Sequence, residues 1–518
     1  MTDRTLGQLF RAYRLRPRVF ALPLSAFAAL ILTSLLAPGP FLGAATALNT
    51  AILNVFSHGF TVAAFLFLMT CAWAALSPLG RVRIGGAKAT PILSRWNWAA
   101  ITLTTTVAIG ILFWATAEPI YHLSEPGGLD VAPGSAAAAD FALSSLYLHW
   151  SFTPYAIYTV PGLAFALAYH NLRLPFSLAS PIQAATGRGL PDGVRDALDG
   201  FALLALLFGL AASLGAGILS LSGGLDRIAG TGTGPVATFT VALAVVGGFA
   251  ASSASGLHRG IRVLSDINTR LFIVVLVFVF VAGPTGRIVT TSLEALTSYA
   301  GSFIQRSLLL PPHDDMDWAK AWTVFYWANW LAWAPLSAMF LGRISRGYTV
   351  RAYVLVNLVL PALFSIVWMS VFGGVALSIE AEQAGLLSEL LRAGGPEHLL
   401  YEVLGQLWLG GVLVLAVLLL TYLSYVTAAD SNTSVLAELS AAHEDLAPDA
   451  PQPRRPVVKI VYAAAVGLAA WSMVSLSGID GVRMLSNLGG LPALFIVGAF
   501  NLALIRMGTK GLNALREA

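Results

Sequence analysis

Two short segments place aromatic and polar side chains where the sequence is otherwise apolar. "HWSFTPYAIY" sets Trp150 and Tyr158 on one predicted helical face with Tyr155 beside it, and "WANWLAWAP" carries Trp330 and Trp333. A quaternary ammonium has a full positive charge and no N–H donor, but each aromatic face attracts it by about 0.5–2 kcal/mol. The rings predict a box for such a cation, with ordinary aromatic packing of the core as the alternative.

A third segment, "TTTVAIGILFWATAEP", adds polar groups to the same set. Gly110 permits close approach or local unwinding, and the hydroxyls that begin at Thr104 offer oxygen ligands. Phe113 adds a further ring to the predicted substrate site. Glu118 lies near the outer end of the segment. The sequence leaves open whether it is a solvated helix-end carboxylate or a functional group.

The elements that carry these segments are predicted to cross a membrane. The 518 residues are 57% hydrophobic and 11% charged, whereas soluble domains carry roughly 25% charge. A helix crosses the hydrocarbon core, about 30 Å thick, with about 20 apolar residues. Twelve segments of suitable character occur, at 19–36, 52–76, 98–117, 141–167, 201–221, 236–251, 261–282, 319–341, 352–375, 403–426, 458–476 and 488–505. We therefore predict an all-α polytopic membrane protein with twelve transmembrane helices.

The basic residues predict the orientation of these helices. Alternation from a cytoplasmic N-terminus puts most of the 30 Lys and Arg residues on the cytoplasmic side, as basic loops prefer. Both termini are thus expected in the cytoplasm, with the chain in the cell (inner) membrane. The net charge of +4 adds no nucleic-acid signature.

Helical spacing of apolar residues before "PPHDD" predicts an amphipathic helix on the outer membrane face. Ten of the twelve helices can divide as five plus five, which inverts the second unit relative to the first. The predicted divisions are an N-terminus with two peripheral helices, a first repeat, the outer helix, a second repeat and a short cytoplasmic tail, at 1–96, 97–290, 291–317, 318–507 and 508–518.

Five motifs together resemble the betaine/choline/carnitine transporter family. They are "ILFWATAEPIYH", "LYLHWSFTPYAIYTVPGLAFAL", "GIRVLSDIN", "WTVFYWANWLAWAPLSAMFLGRISRGYTVR" and "SYVTAADSNTSVL", in the family's order across almost the whole chain. The resemblance implies a LeuT-like core of two inverted five-helix repeats and a homotrimer. It also implies that Trp150, Tyr158 and Trp330 form the aromatic box, with Tyr155 where members often have Trp.

The resemblance also implies an exit path and a place for a coupling ion. Trp333 and Asn329 would lie on the path toward the cytoplasm. The family commonly has a Gly-x-Gly-x-Gly stretch in this span. This chain has "TVAIG" there, with Val107 as its second residue, so that Gly110 alone of the three glycines is present. Sodium-coupled members resemble Thr-Ser-Ala-Asp where this chain has Thr427 and Ala428, so one hydroxyl ligand for a possible Na⁺ at Thr427 is missing.

Two further residues bear on coupling. Arg270 lies within the seventh predicted span, where a charge is costly and usually functional. We hypothesise that it replaces sodium as a fixed cation, while snorkelling of its side chain to the inner face is the alternative. His149 could carry a proton beside the box, but a lone histidine is more often a hydrogen-bonded structural residue.

The sequence therefore predicts a secondary transporter, with no enzymatic activity and no cofactor beyond a possible Na⁺ or H⁺ coupling ion. Its expected substrates are onium compounds such as glycine betaine, choline, carnitine, trimethylamine N-oxide or dimethylsulfoniopropionate, moved by alternating access. A LeuT-like symporter of amino acids or other small solutes is the alternative. A membrane enzyme is disfavoured because no metalloprotease, nucleophile-elbow or phosphate-loop motif occurs, and a channel because no pore loop repeats.

Overall fold

A computed structural model describes residues 13–106, 110–127, 129–255, 258–441 and 455–517. Within these ranges the regular elements are helices. They are α1 (Pro17–Leu36), α2 (Pro38–Leu76), α3 (Arg95–Thr106), α4 (Gly110–Ser124), α5 (Ala136–Trp150), α6 (Phe152–Ala166), α7 (Ser180–Thr186), α8 (Asp192–Ala229), α9 (Pro235–Ser255), α10 (His258–Ala282), α11 (Thr285–Leu308), α12 (Met316–Ala319), α13 (Phe325–Ile344), α14 (Val350–Val354), α15 (Leu360–Glu382), α16 (Leu386–Gly394), α17 (Leu399–Gly405), α18 (Gly410–Leu439), α19 (Pro456–Lys510) and α20 (Leu512–Glu517).

Short helical turns of other pitch connect some of these helices. Two of them are 3₁₀ turns, Pro78–Arg81 and Pro396–His398. Three are π-helical turns, which lie at Leu167–Asn171, Lys320–Val324 and Leu355–Val359. Single-turn π segments often mark functional sites in helices, and the second of them runs directly into α13.

Six helices in the described ranges are long and apolar enough to cross a membrane. They are Pro17–Leu36, Pro38–Leu76, Asp192–Ala229, Val350–Glu382, Gly410–Leu439 and Pro456–Lys510. A seventh span results if Arg270–Ala282 and Thr285–Leu308, which are bent by 104° to each other, count as one. The prediction of a polytopic all-helical membrane protein is therefore confirmed, while the count of twelve helices is matched only in part.

Two structural features lower the number of long apolar helices in the described ranges below the twelve spans predicted. A straight helix of 55 residues would be about 80 Å long, which exceeds twice the hydrocarbon core. Helix α19 has that number of residues, but Ser477 and Gly478 leave helical geometry and divide it. In the opposite sense, the predicted fourth span is divided at Ser151 into α5 and α6, each of which is too short to cross the membrane alone.

The packing around α13 positions the predicted site. Helix α13 packs along α6 on one side and along α19 on another, while α4 packs along α5. Helix α11 lies against α5, and the buried Arg306 of α11 donates to Ser144 Oγ at 2.8 Å and to Ser145 Oγ. The guanidinium of Arg306 thus anchors α11 to α5. Helix α11 begins at Thr285, six residues before the start predicted for the outer helix.

Small residues allow α13 and α19 to approach closely. A methyl group at Gly490 of α19 would lie 2.5 Å from both Cα and Cβ of Ala328 in α13. Such contacts between small residues replace the hydrophobic driving force that is missing between helices in lipid. The backbone of α19 thus fixes the depth of the neighbouring tryptophans of α13.

We expect Gly490→Ala to reduce the stability of the folded protein. The added methyl overpacks the crossing with α13, at a cost of roughly 1–3 kcal/mol. Apparent melting temperature, measured by size-exclusion chromatography after heating in detergent, should fall by several degrees. Gly498→Ala on the same helix is the control, because a methyl there meets no atom within 4 Å. Equal melting temperatures for both variants would contradict the proposed crossing.

Candidate functional site

Four aromatic side chains predicted to form the box meet in the structure. The ring of Trp330 lies 5.6 Å from that of Trp150, 5.4 Å from Tyr155 and 5.1 Å from Tyr158, centroid to centroid. All three contacts are edge to face, which is a favoured aromatic geometry. Each of the four side chains is at most 4% exposed. The rings therefore form one buried cluster centred on Trp330.

Three helices place these rings, and a break separates two of them. We expected Trp150 and Tyr158 on one face of one helix, but Ser151 has φ −113° and ψ −118° and separates α5 from α6. Trp150 ends α5, whereas the two tyrosines belong to α6. Helix α13 contributes Trp330 and continues through Pro335 without a break. The break in helical geometry next to the rings is thus at Ser151.

A buried carboxylate orients the cluster. Glu118 of α4 is fully buried, and its Oε2 accepts from Trp150 Nε1 at 2.8 Å and from the hydroxyl of Tyr326 at 2.5 Å. Its Oε1 lies 2.6 Å from His149 Nδ1 and 3.2 Å from His122 Nε2. A deprotonated carboxylate has lone pairs for all four donors. Glu118 therefore links α4, α5 and α13 and fixes the plane of the Trp150 indole.

His149 extends this network rather than facing the rings of the box as a lone group. Its Nε2 lies 3.0 Å from Thr323 Oγ1 in the π-helical turn, and its backbone carbonyl accepts from Trp330 Nε1 at 3.2 Å. The expectation of a hydrogen-bonded structural histidine agrees with these contacts. His149 thereby connects Trp330 to Glu118, the carboxylate that accepts from Trp150.

The same carboxylate and imidazoles are the described residues that could hold a metal ion. Donor atoms of Glu118, His122 and His149 lie within 4.8 Å of one another. Both imidazoles approach one carboxylate oxygen, and the indole and phenol of the preceding network approach the other. Hydrogen bonds alone account for this arrangement.

The remaining predicted substrate residues occupy different places. A methyl group at Gly110 would lie 3.4 Å from Trp150 Cη2, so this glycine allows the indole to pack against α4. Phe113 is buried, and its ring lies 5.0 Å from that of Trp114. Asn329 accepts a hydrogen bond from Ser486 Oγ at 3.1 Å and so contacts α19. Gly110 therefore lies beside a ring of the predicted box, while Phe113 packs on Trp114 and Asn329 bonds to α19.

A cavity of about 580 Å³ begins directly below the cluster. Tyr158 and Trp333 line it, and further lining residues of α13 continue to Arg343, while α18 contributes residues as far as Glu438. The ten residues from Trp333 to Arg343 span about 15 Å along the helix. The cavity therefore extends from the ring cluster to the end of α13, and Trp333 lines it whereas Asn329 does not. The predicted path of these two residues toward the cytoplasm stays a prediction.

The residues predicted for ion coupling are only partly brought together. Thr427 and Ala428 line the cavity, and the Thr427 hydroxyl donates to the carbonyls of Leu423 and Ser424. Val107 and the side chain of Thr104 lie outside the described part of the chain. Arg270 is exposed on α10 and is not among the residues that line the cavity. Its role as a fixed cation stays a prediction.

Sequence reasoning underestimated Glu118 and missed Tyr326. The sequence left open a solvated position for Glu118, but the structure buries this side chain among four donors. The spacing of four residues between Glu118 and His122, which puts both on one helical face, was a usable signal. No local pattern indicated that the hydroxyl of Tyr326 would reach the carboxylate from a helix about 200 residues later.

We expect Glu118→Gln to weaken both stability and the binding of an onium ligand. Glutamine retains one acceptor oxygen and turns an amide donor toward buried donors, which costs about 1–3 kcal/mol. Melting temperature and the KM for choline uptake into liposomes measure the two effects. Glu125→Gln, at an exposed residue just beyond α4, is the matched control. An unchanged KM in a stable Glu118→Gln protein would show that the carboxylate does not position Trp150.

Comparison with known proteins identifies relatives over nearly the full length. The profile of the BCCT family, described as betaine/carnitine/choline family transporter, matches residues 18–511. Glycine betaine transporter 1 of Vibrio parahaemolyticus is 32% identical over 479 residues, covering 89% of this chain and 87% of the relative.

Two other relatives have similar coverage. The ectoine/hydroxyectoine transporter of Virgibacillus pantothenticus is 29% identical, over 88% of this chain and 89% of the relative. A glycine betaine/proline/choline/ectoine transporter of Vibrio parahaemolyticus is 31% identical, over 90% and 83%. The matched family consists of transporters rather than enzymes. The family predicted from the five motifs is thus confirmed, and this chain belongs to the betaine/carnitine/choline transporter family.

Proposed function

We propose that this chain moves small methylated onium compounds across the membrane by alternating access, with the ring cluster around Trp330 as the central site. Glycine betaine, choline, carnitine, trimethylamine N-oxide and dimethylsulfoniopropionate are the proposed substrates. The observation that carries the proposal is the group of three rings, Trp150, Tyr155 and Tyr158, within 5.6 Å of Trp330. Their faces can replace water around a cation that cannot donate hydrogen bonds.

The geometry also indicates which step is conformational. The four rings contact one another edge to face, so a headgroup must separate them in order to bind. Tyr158 belongs both to the cluster and to the cavity wall. Movement of α6 about the break at Ser151 would therefore open the cluster toward the cavity. Rocking of two repeats around a fixed central site is the usual route to such exchange in transporters.

We propose further that twelve helices form a LeuT-like core of two inverted five-helix repeats, with both termini in the cytoplasm. Each predicted span falls largely on helical residues, and the divided helices account for the shorter pieces. The positive-inside pattern of the loops supports the orientation, which places the cavity on the cytoplasmic side. Assembly as a homotrimer is proposed on the family resemblance alone.

The described residues offer a sodium ion few ligands. Ala428 has no side-chain oxygen, and α18 is helical from Gly410 to Leu439, so its carbonyls serve the helix. Sodium sites of transporters instead use unwound carbonyls together with hydroxyls. The donor set near Thr427 therefore fits a sodium ion poorly, and we derive no transport step through one.

We expect Trp330→Leu to abolish saturable uptake of labelled glycine betaine and choline into liposomes. Loss of the central ring removes three ring contacts and one of the two indole faces of the cluster. Trp98→Leu is the control, because Trp98 is equally buried and stacks at 3.9 Å on Tyr348, outside the cluster. Trp98→Leu should retain the wild-type KM even if less protein folds. Normal uptake by Trp330→Leu would exclude the cluster as the substrate site.

We expect Ala428→Ser to increase the dependence of uptake on sodium. Serine restores an oxygen next to Thr427, which a hard cation such as sodium prefers. Wild-type uptake should change little when external sodium is replaced by potassium, while the variant should respond several-fold. Ala429→Ser is the matched control on the next position of α18. A strong sodium requirement of the wild type would show that Thr427 and backbone oxygens suffice.

A further inference from the structure

Tyr158 and Trp333 connect the ring cluster to the cavity below it. The ring of Tyr158 lies 5.1 Å from that of Trp330, and Tyr158 also lines the cavity. Trp333 lines the cavity as well and follows Trp330 by three residues on α13. A substituent on a headgroup in the ring cluster would therefore extend into the cavity.

One face of α13 forms an apolar wall of this cavity. Trp333, Leu336 and Phe340 line it at spacings of three and four residues, and Arg343 lines it three residues later. Side chains with this spacing lie on the same face of a helix. An apolar stripe therefore runs along α13 from the ring cluster and ends at a basic side chain.

Helices α8 and α9 add further apolar side chains to the cavity. Leu210 and Leu214 of α8 line it, and so do Val246 and Phe249 of α9. Contact of a ligand's methylene groups with such side chains is favourable, in proportion to the apolar area that is removed from water. The cavity therefore presents apolar side chains from three helices to an elongated ligand.

Several polar side chains of the cavity are engaged with other residues of the chain. The hydroxyls of Thr427 and Thr433, both on α18, each donate to a carbonyl of their own helix. Asn268 Nδ2 donates to Ser424 Oγ at 2.7 Å. A buried donor is costly only when it has no acceptor. An apolar ligand in the cavity would therefore leave these three donors satisfied.

Charged side chains mark the far end of the apolar stripe. Arg343 of α13 and Glu438 of α18 both line the cavity. A methylene group placed beside a charged group displaces water that hydrates the charge, which is unfavourable. The end of α13 thus limits the length of an apolar ligand that starts at the ring cluster.

The size of the cavity exceeds that of an onium headgroup. Its volume of about 580 Å³ lies within the range of pockets that enclose drug-sized ligands, roughly 300–1,000 Å³. The length of about 15 Å from Trp333 to Arg343 corresponds to roughly twelve methylene groups, at about 1.3 Å each in an extended chain. The cavity therefore fits an alkyl chain of about ten to twelve carbon atoms.

We propose that the cavity binds the alkyl chain of single-chain onium amphiphiles, while their headgroup occupies the ring cluster. Alkyltrimethylammonium ions and long-chain acyl esters of onium alcohols have this chemistry. The apolar stripe of α13 contacts the chain along its length, and the charged end at Arg343 limits that length. Such a ligand competes with short onium substrates for the ring cluster. The proposal rests on the proposed function for the site of the headgroup.

Competition against radiolabelled choline, with purified protein in lipid nanodiscs, tests the proposal. The probes are n-alkyltrimethylammonium ions from ethyl to hexadecyl, and their free aqueous concentration is measured in each sample. We expect the inhibition constant to fall about threefold for each added methylene, since each group leaves water for an apolar surface. The fall should end at about ten to twelve carbon atoms.

Two results of this series would overturn the proposal. One is an inhibition constant that does not depend on chain length. The other is a fall that continues unchanged to hexadecyl, because partition into the lipid has no length limit of this kind. n-Alkyl sulfates of the same lengths are the control ligands, since they have the same chain with an anionic headgroup and should not displace choline.

Substitutions along the stripe should act at different chain lengths. Leu336 and Phe340 lie about 5 and 10 Å beyond Trp333, which corresponds to about four and eight methylene groups. We expect Leu336→Ser to weaken binding of chains longer than about four carbon atoms, and Phe340→Ser only of those longer than about eight, by about threefold to tenfold.

Phe495→Ser is the matched control for Phe340→Ser, because Phe495 is 59% exposed on α19 and is not among the residues that line the cavity. Its series should equal that of the wild type. Equal losses for Phe495→Ser and Phe340→Ser would contradict the placement of the chain along α13. The wild-type series decides the proposal even if a variant does not fold.

Failure of the proposed function gives a different result. A wild-type protein that binds no choline would refute the ring cluster as the site of the headgroup. Direct binding of radiolabelled decyltrimethylammonium then tests the cavity. Saturable binding that Phe340→Ser weakens and Phe495→Ser does not would support the site of the alkyl chain, whereas absence of saturable binding would refute it.

Discussion

Burial of one carboxylate determines how the aromatic side chains of this transporter are arranged. Glu118 has no contact with water, and a buried charge persists only where partners compensate for its lost hydration. Its four donors come from α4, α5 and α13. Because the donors include the indole of Trp150, the orientation of that ring follows from satisfying the carboxylate. Ring geometry is thereby set by hydrogen bonds, which are directional, rather than by apolar packing, which is not.

As a consequence of this constraint, the two sides of the ring cluster are held differently. Trp150 and Trp330 are tied to the Glu118 and His149 network, whereas Tyr158 and Trp333 border the cavity. Trp333 packs on Gly209 of α8, where a methyl group would approach its indole to 3.3 Å. The side of the cluster that must release a substrate is thus the side with fewer directional contacts. This asymmetry is suited to alternating access, in which only one side opens at a time.

The sequence allowed the helices and the box to be predicted, since both depend on local signals. Apolar length predicted where helices lie, and tryptophan at mid-span predicted the cluster around Trp330. Breaks in the helices were harder to predict. Ser151 leaves helical geometry although it is neither a proline nor a glycine. Contacts such as that from Tyr326 to Glu118 join residues 208 positions apart, and no periodic pattern encodes such a distance. The possible sodium site at Thr427 was recognised only through a family motif, and it stays a prediction.

Two aromatic clusters of this protein differ in which part of the rings is engaged by other groups of the chain. In the central cluster the indole N–H groups of Trp150 and Trp330 are both satisfied, so the ring faces are left to interact with a ligand. In a second group of rings, Trp114, Tyr121, Trp322 and Phe325, the rings already interact with the guanidinium of Arg483, which lies 4.5 Å from the centroid of Trp322. The second group of rings thus has its faces engaged by a charge of the chain itself, whereas the central cluster has its indole N–H groups engaged and leaves its faces available to a cation.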